Sequence, residues 1–83
     1  MVFLCDKSGF RNVITLTRML RDQGESVEII FKCDHKKMND YMDFAKKQNN
    51  GIVIDYLSDD EIKIYDLITE KIETTNFKTL LEE

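Results

Sequence analysis

Apolar and polar positions alternate along this chain in blocks that change period. The opening run "MVFLC" (residues 1–5) is apolar and of strand length. "DKSG" interrupts it, and apolar residues then recur at Val13, Leu16, Thr17 and Leu20, with Ile14 and Met19 widening the stripe. That is the i, i+3, i+4, i+7 pattern of a helix packed on one face. The spacing predicts a helix over residues 9–23, with Ser8 as its N-cap and Gly24 as a left-handed stop. "SVEIIF" (26–31) is β-branched and apolar, which predicts a second strand. Met38, Tyr41, Met42 and Ala45 give a second helical stripe, closed at "QNNG" by Asn50 and Gly51. "IVIDYL" (52–57) predicts a third strand, "SDDE" a tight turn, and "IKIYDL" (62–67) a fourth strand. "ITEKIETT" reads as a turn with a short extended piece. "NFKTLLEE" closes as a helix capped by Asn76 or Thr75, with Phe77, Leu80 and Leu81 facing inward.

The predicted order is β-α-β-α-β-β-α, an α/β three-layer sandwich with a mixed sheet. Strands separated by helices must run parallel through right-handed crossovers. The fourth strand follows the third after so short a turn that the two must be antiparallel neighbours, which places it at an edge. The 83 residues are expected to form one domain, 1–83. At this length folding buries only roughly 60% of the extended chain's surface, so one sheet with two or three helices exhausts the core. The absence of proline and the presence of only three glycines exclude collagen-like and linker readings. No apolar run is long enough to span a bilayer, and no basic segment precedes the opening apolar stretch. The chain is expected to be cytoplasmic, with no membrane contact.

Candidate chemistry changes this picture little. "CDKSGFR" places Cys5 and Arg11 around five residues at a strand-to-helix turn, the spacing of the phosphate cradle in low-molecular-weight tyrosine phosphatases. Such a loop needs a thiolate among inward-facing N–H groups and an arginine on the phosphoryl oxygens. Here the loop carries only one glycine, and Asp6 beside the thiol raises its pKa and repels phosphate. Asn12 stands where a hydroxyl residue would follow the arginine. A phosphatase or phosphocarrier using Cys5 and Arg11 is therefore the minority expectation, and the bland one is a buried strand end. Cys33 and His35 lack the paired partners of a tetrahedral metal site. The carboxylates of "SDDE" read as solvated turn acids rather than as a separated catalytic pair. No catalytic, cofactor or metal site is expected.

The net charge of −4 makes strong nonspecific binding to nucleic acid an unfavourable expectation. A local basic patch remains, made of Lys32, His35, Lys36, Lys37, Lys46 and Lys47 around the second helix. At 100° per residue its lysines fall near both ends of that helix, with Asp40 and Asp43 between them. Tyr41 and Phe44 could stack on bases, although Tyr41 also lies on the apolar stripe.

Three stretches together carry a resemblance to a family. "LTRMLRDQGESVEI" is similar to a helix, glycine turn and strand in which "LR..G..VE" recurs. "HKKMNDYMDFAKKQNNGIVI" is similar to an "LKKQ…A…G" helix leading into a strand. "IKIYDLITEKIETTNFKTLLEE" is similar to a closing "V…DL.TGE…" hairpin and helix, with Thr69-Glu70 in place of the usual threonine-glycine. The chain as a whole resembles the C-terminal anticodon-binding domain of class II aminoacyl-tRNA synthetases, in the histidyl-tRNA synthetase branch. That branch includes the regulatory subunit of ATP phosphoribosyltransferase in histidine biosynthesis. The resemblance implies a noncatalytic binding or regulatory module whose partner is tRNA, the catalytic domain of a parent chain, or ATP phosphoribosyltransferase. A plain protein-interaction domain, pairing through an exposed edge strand, is the remaining expectation.

Overall fold

The computed structural model describes residues 1–33 and 37–82. It contains β1 (Val2–Cys5), α1 (Phe10–Asp22), β2 (Glu28–Phe31), α2 (Met38–Lys47), β3 (Ile52–Tyr56), β4 (Ile62–Asp66), β5 (Lys71–Thr75) and α3 (Phe77–Glu82). One sheet has the order β2-β1-β3-β4-β5. β1 is parallel to both β2 and β3, and β4 is antiparallel to β3 and to β5.

From β1 the chain first moves outward to β2, then crosses back over β1 to β3. Right-handed crossovers in opposite directions put their helices on opposite faces. Side-chain alternation along β1 shows this directly. Phe3 and Cys5 enter a core with Val13, Leu16, Ile54, Tyr56 and Ile62, flanked by Phe77 and Leu80, under α1 and α3. Val2 and Leu4 enter a second core with Tyr41, Ala45 and Val53, under α2. The molecule is thus the expected three-layer sandwich, and β1 is buried along its whole length.

Four details differ from the sequence reading. The extended piece after β4 is a full fifth strand, so β4 is interior and β5 is the edge. α1 begins at Phe10 with Gly9 as N-cap, and Ser8 makes no capping bond to it. At the end of α2, Asn49 rather than Asn50 or Gly51 takes the left-handed conformation (φ 60°). Leu81 is exposed, while Phe77 and Leu80 pack inward.

The helix stops share one mechanism. Gly24 has φ 90°. Its N–H donates to the Arg21 carbonyl and the Glu25 N–H to that of Leu20, both at 3.0 Å. After α2 the Asn49 N–H donates to Lys46 and the Asn50 N–H to Ala45, at 3.1 and 2.9 Å. Both are Schellman closures that satisfy otherwise orphaned carbonyls. Asn76 caps α3 by accepting the Thr79 N–H at 2.8 Å. Glu70, in the position of the resembling family's usual glycine, is left-handed at φ 61° in the β4–β5 turn.

Candidate nucleic-acid interface

The chain reverses its direction of winding at β1, so the crevice at the C-terminal ends of β1 and β3 is the topological switch point, where open α/β sheets bind ligands. Three described segments build this rim: the β1–α1 loop (6–9), the ends of the β2–α2 connection (32–33 and 37) and the β3–β4 turn (57–61).

The β1–α1 loop is closed upon itself. The Asp6 carboxylate accepts the Ser8 hydroxyl at 2.7 Å and the Gly9 N–H at 3.0 Å. These two hydrogen bonds hold its carboxyl below the usual aspartate range. A carboxylate of the chain itself therefore takes the Gly9 N–H just ahead of α1. Cys5 is fully buried, and burial, reinforced by the Asp6 charge, pushes its thiol up despite Lys32 nearby. Arg11 is exposed. A buried thiol and an exposed Arg11 do not form the phosphate cradle that the Cys5–Arg11 phosphatase or phosphocarrier expectation requires.

Gly9 is required here for space. A Cβ on it would lie 2.8 Å from Cδ1 of Tyr56, whose ring is buried. Gly9→Ala is expected to destabilise the domain by about 1–2 kcal/mol through overpacking. Chemical denaturation checks this, and a loss within error of zero would show that Tyr56 can move.

Tyr56 anchors the third segment. Its hydroxyl donates a short hydrogen bond to Asp59, and the Asn12 side-chain amide donates to Asp59 at 2.7 Å and to the Tyr56 oxygen at 3.2 Å. The Phe77 ring meets the Tyr56 ring edge-on at 6.3 Å, and the Phe77 N–H donates to the Asp59 carbonyl at 2.8 Å. The acid of "SDDE" that looked merely solvated thus ties the β3–β4 turn to α1 and α3. Asn12 and Asp59 are 47 residues apart, and no local pattern announces the pair.

The lysines fall into separate environments. Lys32 places its Nζ 2.8 Å from Asp55 of β3, a carboxylate only 4% exposed. Lys37 is exposed at the start of α2, where its N–H donates to Asp40 at 3.0 Å. Lys46 and Lys47 are exposed in the last turn of that helix. A helix of 10 residues is about 15 Å long, so they stand at the opposite end of α2 from Lys37. His35 and Lys36 lie outside the described residues. Cys33 donates its N–H to the Tyr41 hydroxyl at 2.8 Å, and Tyr41 is core rather than a stacking surface. Phe44 is exposed on α2.

Sequence reasoning missed Phe31. Its position at the end of an apolar run marks it as core, but β2 is an edge strand and Phe31 is 49% exposed at the rim. Its ring rests on Phe10 at 4.9 Å. Phe31 thus presents a partly exposed aromatic ring on the α1 side of the edge strand β2.

No protein-family model and no curated protein matches the sequence. Solved structures do match. Histidyl-tRNA synthetase from Nostoc sp. PCC 7120 aligns with a TM-score of 0.76 and 16% identity, covering 98% of this chain and 20% of that one. The fold is that of an anticodon-binding-like domain. The RNA binding domain of threonyl-tRNA synthetase from Cryptosporidium parvum Iowa II aligns at 0.67 with 11% identity, covering 98% of this chain and 21% of that one. Apo histidyl-tRNA synthetase from S. aureus aligns at 0.64 with 20% identity, covering 98% and 22%. The chain thus spans about a fifth of the chains it resembles.

Proposed function

We propose that this anticodon-binding-like domain is a noncatalytic module that binds RNA, with tRNA as its substrate class, through the rim at the ends of β1 and β2. The observation that carries the reading is the likeness, over 98% of the chain, to the RNA binding domain of a threonyl-tRNA synthetase. The rim supplies suitable chemistry. Phe31 offers a π-face to an unstacked base, and Lys37 offers a cation to phosphate, with His35 and Lys36 preceding it in the sequence. A strand running along α2 would meet Lys46 and Lys47 at its far end. Because the net charge is −4, few phosphates are neutralised and binding is modest and salt-sensitive.

The test is an amide chemical-shift titration of the labelled domain with unfractionated tRNA at two salt concentrations. Shifts should cluster on residues 31–47 and shrink with salt. Phe31→Ala should weaken binding by about 5- to 100-fold, the loss of one stacked base. Lys37→Ala, and separately the Lys46→Ala/Lys47→Ala pair, should lower the salt slope by about 1 per lysine. Absence of shifts at low salt sinks the RNA reading. The module's partner would then be a protein, either the catalytic domain of a parent chain or ATP phosphoribosyltransferase.

A further inference from the structure

β5 pairs with β4 on one side, and among the described residues no strand lies beside its other edge. The register with β4 fixes which way its residues point. Val53 of β3 faces Tyr65 of β4, and Tyr65 faces Ile72 of β5, so Val53, Tyr65 and Ile72 form one cross-strand row on the α2 side of the sheet. α2 roofs the β1 and β3 part of that face with Tyr41 and Ala45. It leaves the β4–β5 part open as a groove of about 200 Å³ lined by Met42, Lys46, Tyr65, Leu67 and Ile72 among others. Ile72, at the end of the row, is 63% exposed. Lys71 and Glu73 flank it on the opposite face, in line with Asp66 and Ile64 of β4.

We propose that β5 is a homodimerisation edge, on which a second copy of this chain pairs antiparallel with its own β5, centred on Ile72. A twofold axis perpendicular to the sheet keeps each residue on its face, so only registers centred on a residue are allowed. Centring on Ile72 sets Ile72 against Ile72 of the second copy and Lys71 against its Glu73, twice. The alternatives are worse. Centring on Lys71 or on Glu73 sets like charges directly opposite, which destabilises a sheet. Centring on Glu70 sets two glutamates together, and centring on Thr74 leaves Lys71 and Glu73 without charge partners. A lone lysine on an edge strand is a device against association. A lysine and a glutamate two residues apart around an isoleucine form a self-complementary set instead.

The pairing joins two five-stranded sheets into one of ten strands. Its apolar row then runs Val53–Tyr65–Ile72 and back through the same residues of the second copy. Glu73 faces Ile64 on β4 and gains a charge partner across the dimer, whereas Lys71 already faces Asp66 within its own chain. With only five residues on each edge the dimer belongs to the weak, transient class.

The test is sedimentation equilibrium of the 83-residue chain up to millimolar concentration, with folding of each variant checked by circular dichroism. The wild type should dimerise with rising concentration. Lys71→Glu and Glu73→Lys should each weaken the dimer by about 10-fold, since two attractive pairs become repulsive. The double variant Lys71→Glu/Glu73→Lys should restore it to within a few fold of the wild type. Mixed-label NMR should show Ile72 methyl contacts between copies. A strictly monomeric wild type overturns the proposal, because the edge charges then act only as gatekeepers. A dimer that ignores the single reversals, or that the double reversal does not rescue, overturns the register and with it the proposal.

Discussion

Replacing Lys32 with alanine is expected to lower the unfolding free energy by about 2–3 kcal/mol, far more than the loss of a surface lysine. The reason is the partner left behind. Asp55 sits on β3 between Leu4 of β1 and Lys63 of β4, and its carboxylate is 4% exposed. Among the described residues the Lys32 ammonium, at 2.8 Å, is the cation on it, and the lysine itself is partly covered. Removing one member of such a pair leaves a desolvated charge without compensation. Replacing both with apolar residues, as in Lys32→Met/Asp55→Leu, should recover most of the loss, because neither charge then remains to be buried. Urea denaturation of both variants decides this, with an unchanged m-value showing that only stability moved. A loss below about 0.5 kcal/mol for Lys32→Ala would mean that Lys63 swings across to replace it, in the range of an ordinary surface change. Lys32 is therefore a poor probe of RNA binding. An apparent loss of affinity in Lys32→Ala would confound a phosphate contact with unfolding, whereas Lys37 and the Lys46–Lys47 pair are exposed and answer the question cleanly.

Much of the layer architecture was legible because α1, α2 and the first three strands each obey a single period. Val13, Leu16 and Thr17 mark one helical face and are buried on it, and Tyr41 and Ala45 mark another. Two helices alternating with three strands then imply the parallel core by handedness alone. β5 was not legible as a strand because "KIETT" carries one apolar residue and buries almost none of its surface. Its order comes from pairing with β4 across a turn, a long-range property without a hydrophobic signature. Lys32 looked like a phosphate-binding cation for the same kind of reason. Its partner lies 23 residues away and is brought close because β2 and β3 flank β1 in the sheet. Phe31 reads as core from its neighbours and is exposed because the chain places β2 at an edge. What sequence periodicity reports is which residues want burial, while strand order decides which of them obtain it.

Stability is also expected to fall steeply on the alkaline side, and Tyr56 is the residue that makes it do so. Burial pushes its hydroxyl up to about 12, the hydrogen bond to Asp59 pushes the same way, and Asn12 opposes both. A tyrosine whose folded-state value lies above its unfolded value of about 10 favours the neutral form in the fold. Its contribution is fully present below pH 10 and is lost as pH rises from there through about 12. A separation of this size corresponds to about 2–3 kcal/mol. Tyr41 is shifted upward as well, so the wild-type slope alone does not isolate Tyr56. The difference between wild type and Tyr56→Phe does. That variant should cost about 1 kcal/mol at neutral pH, from the hydroxyl's lost hydrogen bonds. The gap should then close, and reverse in sign, as pH rises from 10 towards 12. Asp59 provides an independent check at the other end of the scale. The Tyr56 and Asn12 hydrogen bonds hold its carboxyl below the usual range. Its stabilising contribution is therefore present above the ordinary aspartate value and lost as pH falls through the depressed one. Tyr56→Phe should soften that acid loss too, because it removes the first of the two donors. A wild-type-minus-variant difference that stays flat across both pH ranges would show that the Tyr56–Asp59–Asn12 network does not couple the β3–β4 turn to α1.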